Sequence, residues 1–309
     1  MTKPKRKIII DTDPGIDDAA ALAVAFAQED LDIQLICTVG ANVPGDKTAA
    51  NALKLVEFFD VDIPVAKGFS GPLVRDHQPA GHIHGESGMD GYDFPPTTRK
   101  LVDKHAVEAM REVIMNSEEK ITLIPIGSQT NIAILLHMYP EVKENIDEII
   151  CMGGSTIGGN VNSSAEFNFF CDPHAAAMVL KSGVPVTMMG LNVTNRACAT
   201  KKTEAMLKEG GRVKDMLYGI MDFYKAGDFE TGIRLHDVCP ICYMIHPEYF
   251  TMEKRFLEVV LEGPAAGATV MQPNLFKEDE REPKVNMAMD IDAEAVEEWF
   301  VDEIRKWEK

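Results

Sequence analysis

Four carboxylates lie close together near the start of the chain, and their chemistry is the first indication of function. The stretch runs KIIIDTDPGIDDAAAL over residues 7–22. Its acids are Asp11, Asp13, Asp17 and Asp18. Carboxylates this close repel one another, which costs stability unless a cation neutralises them. Carboxylate oxygens are the ligands that hard ions such as Ca²⁺ or Mg²⁺ prefer, more than Zn²⁺. Capping a helix needs only one acid, so the stretch predicts a metal site.

The residues around these acids predict a strand, a turn and a helix. Ile8–Ile10 form a short apolar run that is typical of a buried strand. Pro14 and Gly15 predict the turn, and residues 19–27 are an apolar helix that Asp17 or Asp18 can cap. The acids would therefore follow the carboxyl end of the first strand.

Strand and helix patterns alternate through most of the chain, which predicts βαβ units and a parallel sheet. Predicted strands cover residues 8–10, 32–39, 63–66, 121–125, 147–152, 185–191, 256–261 and 284–291. Predicted helices cover residues 19–27, 46–59, 104–116, 130–138, 172–180, 203–209, 213–225, 237–245 and 293–307. The fold class is therefore α/β: an open, mostly parallel, Rossmann-like sheet flanked by helices, with extra helices over its C-terminal edge. We expect a single domain over residues 1–309.

Polar loops follow several of the predicted strands, and two of them are long and irregular, over residues 68–100 and 155–171. Long irregular loops inside a compact domain are usually functional or mobile. The loops that leave the strands begin at Asp11, Gly40, Ile126, Gly153 and Asn192. Ligands of open α/β sheets bind outside the carboxyl ends of the strands, so we expect these loops to form one site.

Composition excludes several classes of partner. The chain has 309 residues, 45% hydrophobic and 26% charged, with a formal net charge of −18. The 31 basic residues are scattered, whereas nucleic-acid binding needs a basic stripe and anionic membranes attract clustered cations. We therefore expect no nucleic-acid and no membrane partner. No signal-peptide pattern is present, and the cysteines show no disulfide or zinc framework, so a reducing cytoplasm is predicted.

Four motifs, in order along the chain, resemble the inosine–uridine preferring nucleoside hydrolase family. They are IIIDTDPGIDDAAAL at 8–22, TNIA at 130–133, GN-x₅-EFN at 159–168 and HD at 236–237. The resemblance implies the nucleoside hydrolase fold and Ca²⁺-dependent hydrolysis of ribonucleosides to free base and ribose. It also implies a homodimer or homotetramer. The match extends from the first strand to about residue 250, and DTDPGxDD is the most specific part of it.

The same resemblance implies a Ca²⁺ site and a catalytic base. By motif position the metal ligands would be Asp13, Asp18, Asp237 and the backbone carbonyl of Ile126. A water activated by the ion would attack the sugar carbon, and Asp13 would take its proton. Positive charge would develop on the ribose in an oxocarbenium-like transition state. Asp11 is not expected to bind the metal; we expect it to accept hydrogen bonds that support the loop carrying the metal ligands.

Ribose recognition is implied by six further positions. Asp17 and Asn42 would hold the 2′ and 3′ hydroxyls with the ion. The 5′ side and the ring face would be held by Asn160, Glu166, Asn168 and Met152. Taken alone, the asparagines of residues 155–171 are equally expected of an ordinary polar loop; the EFN match favours substrate binding. Such a site should reject 2′-deoxy substrates because its buried polar groups would lose their partners.

The base side of the site is less well defined by sequence. His236 is the first candidate acid for the leaving base, His84 in HGESG is the second, and His82 is the third. Tyr224 and Phe229 are candidates to line the base pocket, although aromatic residues at helical spacing are more often core. His236 and HGESG indicate broad or pyrimidine-preferring specificity. The family often has Asp where this chain has Asn192, which removes one charge near the site.

Three other functions compete with hydrolysis. An Asp-dependent Mg²⁺ phosphatase also has DxD after its first strand, but here Pro14-Gly15 follows and the EFN and HD motifs have no role. An EF-hand loop that started at Asp11 would need Glu at its twelfth position, which is occupied by Leu22, so the sequence does not fit an EF-hand. A family member that binds nucleoside or ribose without catalysis also remains as an alternative.

Overall fold

The structure, a computed structural model, describes residues 5–272 and 284–308. Its first strand, β1 (Arg6–Thr12), has a parallel neighbour on each side. The side chains of Ile8, Ile9 and Ile10 are fully buried. A central parallel strand is covered on both faces, which explains why this segment is continuously apolar instead of alternating.

The strands of the described residues form one large sheet and one small ribbon. After β1 they are β2 (Leu31–Thr38), β3 (Val65–Lys67), β4 (Ile121–Pro125), β5 (Ile146–Met152), β6 (Val186–Met189), β7 (Cys198–Ala199), β8 (Ile233–Arg234), β9 (Phe250–Val259), β10 (Thr269–Met271) and β11 (Lys284–Ile291). The sheet has the order β10-β9-β11-β6-β5-β4-β1-β2-β3, and β7 pairs with β8. Within the large sheet, β9 is antiparallel to both of its neighbours and the other pairs are parallel.

Helices cover both faces of this sheet. They are α1 (Ile16–Phe26), α2 (Gly45–Phe58), α3 (Gly81–His84), α4 (Ala106–Asn116), α5 (Thr130–Met138), α6 (Phe167–Cys171), α7 (Pro173–Leu180), α8 (Leu191–Thr194), α9 (Lys201–Leu207), α10 (Arg212–Phe223), α11 (Val238–Ile245) and α12 (Ala293–Arg305). Short 3₁₀ turns lie at Pro140–Asn145, Pro247–Tyr249 and Lys306–Glu308. Ile8 and Ile10 pack in the core that contains α1 and α11, whereas Ile9 packs in the opposite core with α4, α5 and α7. Successive side chains of a strand point to opposite faces, so β1 contributes to both cores.

The direction of winding reverses next to β1. The chain moves from β1 to β2 on one side, and β4 then pairs with β1 on the other side. Helices leave the two neighbouring strand ends in different directions at such a switch point, and a crevice opens between them. The turn after β1 and the turn after β4 meet there, with the Ile126 amide 2.8 Å from the Asp11 carbonyl.

The predicted fold class is confirmed, and the differences are local. Residues 155–171 were expected to be loop, yet α6 forms because the Glu166 carboxylate caps its first amides. The short helix α3 lies in the expected loop 68–100. Strand β9 begins six residues before the predicted start, because its charged first half pairs with β11 at an exposed part of the sheet. In the part of the chain that the structure describes, no helix is long and apolar enough to cross a membrane.

Candidate active site

The turn between β1 and α1 is held by Asp18. Its Oδ2 accepts a hydrogen bond from the Gly15 amide at 2.9 Å. Its Oδ1 accepts from the Thr12 hydroxyl at 2.5 Å and from the Asp13 amide at 3.1 Å. Gly15 is the N-cap residue, so Asp18 caps the helix from within its first turn. These bonds fix the carboxylate at the carboxyl end of β1.

Three carboxylates meet at this edge of the sheet. Ligand oxygens of Asp17, Asp18 and Asp237 all lie within 4.8 Å of one another. Asp237 occupies the N-cap of α11, but its side chain accepts no hydrogen bond from that helix. The N-cap acids Asp172 and Asp292, in contrast, do cap their helices. The Asp237 carboxylate is therefore left for another partner, and two oxygens of one Ca²⁺ shell can be about 5 Å apart at most.

Asp13 lies beside this cluster with one oxygen unused. Its Oδ2 accepts from the Asn42 amide at 2.7 Å. Its Oδ1 is buried and has no hydrogen-bond partner among the described residues. An ionised oxygen left unpaired in the interior is costly, so a cation or a proton donor is needed there. The donor set is one of hard oxygens, and these residues fit a divalent ion such as Ca²⁺.

The carbonyl of Ile126, the fourth predicted ligand, lies at the end of β4 and accepts a hydrogen bond from Asn168 Nδ2 at 2.9 Å. The same nitrogen lies 3.2 Å from the Met152 carbonyl oxygen and 3.3 Å from its sulfur. A carbonyl oxygen has two lone pairs, so Ile126 keeps one for a further partner. Asn168 thus ties the ends of β4 and β5 together.

Burial has a large effect on the ionisation of these acids. Burial, and then the charge of Asp18, raises the pKa of Asp13 well above its ordinary value. The same two causes raise the pKa of Asp17 to about 8. Burial, followed by the charges of Asp17 and Asp18, also raises the pKa of Asp237 well above its ordinary value. A nearby divalent cation has the opposite effect and favours the charged carboxylates.

Asp11 is held apart from the cluster, as expected of a brace. Its Oδ1 accepts from Asn131 Nδ2 at 2.8 Å, and that amide also bonds the Thr38 carbonyl. Burial raises the pKa of Asp11 to about 7. Asn131 belongs to the TNIA sequence, so this motif supports the first acid from behind.

A cavity of about 420 Å³ opens above the acid cluster. Most of the predicted site residues line it: Asp17, Asn42, His82, His84, Ile126, Met152, Asn160, Glu166, Asn168, Tyr224, His236 and Asp237. Asp13 and Asp18 are at most 1% exposed and lie beneath its floor. Residues from seven separate segments of the chain therefore converge on one space of the size that small-molecule sites have.

Glu166 and Asn160 shape the side of the cavity next to α6. Glu166 Oε1 accepts from the Asn168 amide at 2.8 Å, and Oε2 accepts from the Gly154 amide at 2.9 Å. Burial raises the pKa of Glu166 to about 7 although these amides favour its charged form. Asn160 Oδ1 accepts from the Phe167 amide at 2.9 Å. These bonds fold residues 155–171 against the ends of the strands.

His84 faces the cavity in a defined tautomer. Its Nδ1 accepts a hydrogen bond from the Ile16 amide at 3.1 Å, which leaves the ring proton on Nε2. Burial, and then the neighbouring His236 and His82, lowers the pKa of His84 to about 3. The ring is therefore neutral at pH 7, and it offers a hydrogen bond without offering a positive charge.

His236 lies on the same side of the cavity and is also neutral at pH 7. Its Nδ1 is 2.8 Å from the Thr194 hydroxyl. Burial, and then the charge of Arg234, lowers the pKa of His236 to about 4. His236 is adjacent to Asp237 in the chain, and both residues line the cavity.

Of the two aromatic residues that were candidates for the base pocket, only one lines the cavity in the structure. Tyr224 lines the cavity, and its ring centre lies 5.6 Å from that of His84. Phe229 is not among the lining residues; its ring stacks on Tyr218 at 6.0 Å and is 4% exposed. The expectation that Phe229 lines the pocket is thus corrected, because its apolar ring packs into the helical core.

Sequence reasoning did not identify Phe167, Phe170 and Arg234, which also line the cavity. Phe167 and Phe170 are three residues apart on α6 and share one face. Arg234 ends β8 and precedes His236 by two residues. The sequence signal for Phe167 and Arg234 is their closeness to the EFN and HD motifs, whereas the shared face of Phe167 and Phe170 is known only from the structure.

Asn192 contacts the loop after β5 instead of the cavity. Its Oδ1 accepts from the Thr156 amide at 3.1 Å, and its Nδ2 donates to the Thr156 hydroxyl at 2.7 Å. It is not among the residues that line the cavity. A role in anchoring residues 155–164 explains this side chain without a direct contact to a ligand.

Gly127 leaves room for Asp13, and this predicts the effect of a small substitution. A methyl group on Gly127 would lie 2.3 Å from Asp13 Oδ1, nearer than real contacts allow. We expect Gly127→Ala to displace that carboxylate and to lower the free energy of unfolding by about 1–3 kcal/mol. Urea denaturation measures the change. Gly81→Ala is the matched control, since a methyl group there meets no atom within 4 Å. Equal stability of both variants would contradict the expectation.

The chain is similar to nucleoside hydrolases along most of its length. The family model described as "Inosine-uridine preferring nucleoside hydrolase" matches residues 8–298. The chain is 44% identical over 286 residues to the non-specific ribonucleoside hydrolase RihC of Salmonella schwarzengrund (strain CVM19633), covering 92% of this chain and 94% of the relative. The RihC of Salmonella agona (strain SL483) has the same identity and coverage.

Solved structures give the same result. The plant nucleoside hydrolase PpNRh1 superposes with a TM-score of 0.91 at 30% identity, covering 97% of this chain and 99% of the plant chain. The purine-preferring ribonucleoside hydrolase from Gardnerella vaginalis superposes with a TM-score of 0.89 at 29% identity, covering 98% of this chain and 99% of the other. The structural similarity thus extends over nearly the whole chain.

Proposed function

The chain belongs to the inosine-uridine preferring nucleoside hydrolase family, and on this premise we propose that it hydrolyses the N-glycosidic bond of ribonucleosides to free base and ribose. The observation that supports this most is the buried acid cluster beneath a cavity lined with amide, carboxyl and imidazole groups. Such a cavity offers acceptors and donors for sugar hydroxyls, and its acids stabilise positive charge that develops on the sugar.

We assign the metal to Ca²⁺, with Asp13, Asp18, Asp237 and the Ile126 carbonyl as its protein ligands. Two of these assignments have direct support: Asp13 Oδ1 has no hydrogen-bond partner among the described residues, and the Asp237 carboxylate does not cap its own helix. Asp17 is close enough to join the cluster, while we keep it as a ribose ligand. When bound, the ion would lower the pKa of a water and help to hold the ribose hydroxyls.

Asp13 acts as the general base in this proposal. It accepts a proton from the water that attacks the anomeric carbon, so no enzyme nucleophile is required. The nearby Asp17 and Glu166 carboxyls face the sugar and stabilise its oxocarbenium character.

The remaining side chains divide between the two ends of the nucleoside. Asp17 and Asn42 bind the 2′ and 3′ hydroxyls, and Met152 packs against the ribose ring. Asn160, Glu166 and Asn168 bind the 5′ side. His236, His84 and Tyr224 face the base, where a neutral imidazole N–H donates a hydrogen bond to it.

We propose broad base specificity, with pyrimidine preference as the narrower form of the same hypothesis. The RihC relatives carry the name non-specific, which supports breadth. We further propose a single domain that works in the cytoplasm as a homodimer or homotetramer. Cell fractionation and sedimentation measurements test compartment and oligomeric state.

Discrimination against 2′-deoxyribonucleosides tests the proposed function. The protein with Ca²⁺ is incubated with inosine, uridine, cytidine and their 2′-deoxy forms, and released sugar is measured. We expect kcat/KM for each ribonucleoside to exceed that of its deoxy form by about 10⁴-fold, because the buried groups that bind the 2′ hydroxyl lose their partner. Release from none of the ribonucleosides would overturn hydrolysis, and equal rates on both sugars would overturn the assigned ribose contacts.

A further inference from the structure

Arg234 introduces a positive charge into a cavity whose floor is acidic. Among the described residues that line the cavity, it is the one with a permanently charged cationic side chain. The other charged groups there are carboxyls, including Asp17, Glu166 and Asp237. The roles proposed above leave this guanidinium without a function.

The backbone directs Arg234 toward the cavity. Strand β8 covers Ile233–Arg234, and on either side of Arg234 the side chains of Ile233 and Leu235 are 1% exposed and fully buried in the core. Arg234 and His236, in contrast, are only partly buried, and both line the cavity. The guanidinium therefore lies at the same end as the imidazole that faces the base.

The turn before β8 holds the guanidinium in place. Arg234 Nη1 donates to the Gly232 carbonyl at 2.5 Å. Gly232 has φ +88°, and a methyl group on it would lie 2.9 Å from the Cys198 side chain, so glycine is required there. Asp228 closes the same turn by accepting from the Thr231 amide at 2.7 Å. A preorganised donor of this kind loses little freedom when it binds a ligand.

The guanidinium keeps most of its hydrogen-bonding capacity for a ligand. Within residues 5–272 and 284–308, no carboxylate forms an ion pair with Arg234. Its hydrogen bonds to described residues go to two backbone carbonyls, those of Gly232 and Thr231, both from Nη1. A guanidinium has five N–H donors and no acceptor, so the unused donors can only bind an acceptor atom.

We propose that Arg234 binds a carbonyl oxygen of the nucleobase and stabilises the base as it leaves, and that it thereby favours oxo-bases over adenine. This inference rests on the proposed function. Uracil, cytosine and hypoxanthine each carry a carbonyl oxygen, whereas adenine has none. Arg234 is therefore a specificity-determining residue of the reaction.

The electron balance of the step explains why a cation is useful there. The C1′–N bond breaks and its electron pair stays on the base, where it spreads onto the carbonyl oxygen. The water oxygen bonds to C1′, one of its protons goes to Asp13, and the other remains in the new hydroxyl of ribose. The base then takes a proton from solvent, and Asp13 returns its proton to solvent. Arg234 donates to the oxygen that becomes negative, while the acids face the positive sugar.

The test compares Arg234→Gln, Arg234→Lys and the wild-type holoenzyme on inosine, adenosine and p-nitrophenyl riboside. The nitrophenyl leaving group is stable as an anion and needs no enzyme donor. Wild type should have a higher kcat/KM on inosine than on adenosine. Arg234→Gln should lose about 10²-fold in kcat on inosine, lose less on adenosine and keep its rate on the nitrophenyl substrate. Arg234→Lys should retain more inosine activity than Arg234→Gln because it keeps the charge.

Two outcomes would overturn the inference while leaving the proposed function intact. Equal losses on all three substrates would mean that Arg234 only supports the structure, and unchanged inosine activity would mean that it has no role. A wild-type protein that cleaves no ribonucleoside and no nitrophenyl riboside would instead overturn the proposed function itself. Arg111→Gln is the matched control, since that arginine lies on α4 and pairs with Glu141 at the surface; its activity should match wild type.

Discussion

Replacing Asp13 with alanine is expected to lower kcat on ribonucleosides by about 10²–10⁴-fold while the protein remains folded. The physical reason is that the variant has no carboxylate to accept the proton of the attacking water. Folding should survive because the variant loses one hydrogen bond, from the Asn42 amide to Asp13 Oδ2, while Oδ1 bonds no described group. Removal of a buried acid also relieves repulsion from Asp17 and Asp18. Steady-state kinetics and thermal unfolding, both with Ca²⁺ present, measure the two effects.

Asp13→Asn separates the chemistry from the space that the side chain fills. The amide has the size of the carboxylate but cannot accept a proton as a base, so the loss in kcat should equal that of the alanine variant. Asp103→Asn, on an exposed loop before α4, is the control and should behave as wild type. If both Asp13 variants turned over ribonucleosides at the wild-type rate, another group would have to be the base.

Removal of the metal is expected to have an effect of similar size. A chelator such as EGTA should reduce turnover by at least about 10²-fold, and added Ca²⁺ should restore it. The acids that meet at the end of β1 repel one another without a cation, so the chelated protein should also unfold at a lower temperature. A ligand that binds only the folded state at about 100 times its dissociation constant adds about 2.7 kcal/mol of stability.

Asp237→Asn tests whether the cluster itself is the metal site. The variant should need a higher Ca²⁺ concentration for half-maximal activity, since one charged ligand becomes neutral. Asp292→Asn is the matched control because Asp292 is also the N-cap of a helix but caps it with its side chain. An identical Ca²⁺ dependence of Asp237→Asn and wild type would place the metal elsewhere. Full restoration by Mg²⁺ alone would contradict the choice of Ca²⁺.

Sequence reasoning was most successful where local chemistry is strong. The apolar segment Ile8–Ile10 and the acids after it predicted a buried strand that ends at a polar site, and the structure has this arrangement. The polar loops after the strands were expected to converge, and residues from those loops line one cavity. This worked because parallel strands must end at the same edge of a sheet, whatever the loops contain.

The residues that were misjudged or missed depend on contacts between distant segments. Phe229 looked like a pocket residue from its position near His236, but its ring packs on Tyr218. Glu166 starts α6 by accepting hydrogen bonds from the amides of Asn168 and Phe169. No local helical periodicity indicates a helix of five residues, so α6 could not be predicted from sequence.

By itself, the sequence determined the alternation of strands and helices and the acidic turn after β1. It also contains DTDPGIDD, one of the four motifs by which the family resemblance was found. These follow from hydrophobic period and residue type, which act over a few positions. Tertiary structure decided which acids meet. Asp237 joins Asp17 and Asp18 from a helix more than two hundred residues later. The tertiary structure also leaves one oxygen of Asp13 without a hydrogen-bond partner among the described residues, and it places Arg234 at the cavity. Such distances between side chains depend on how the elements pack, which no local pattern specifies.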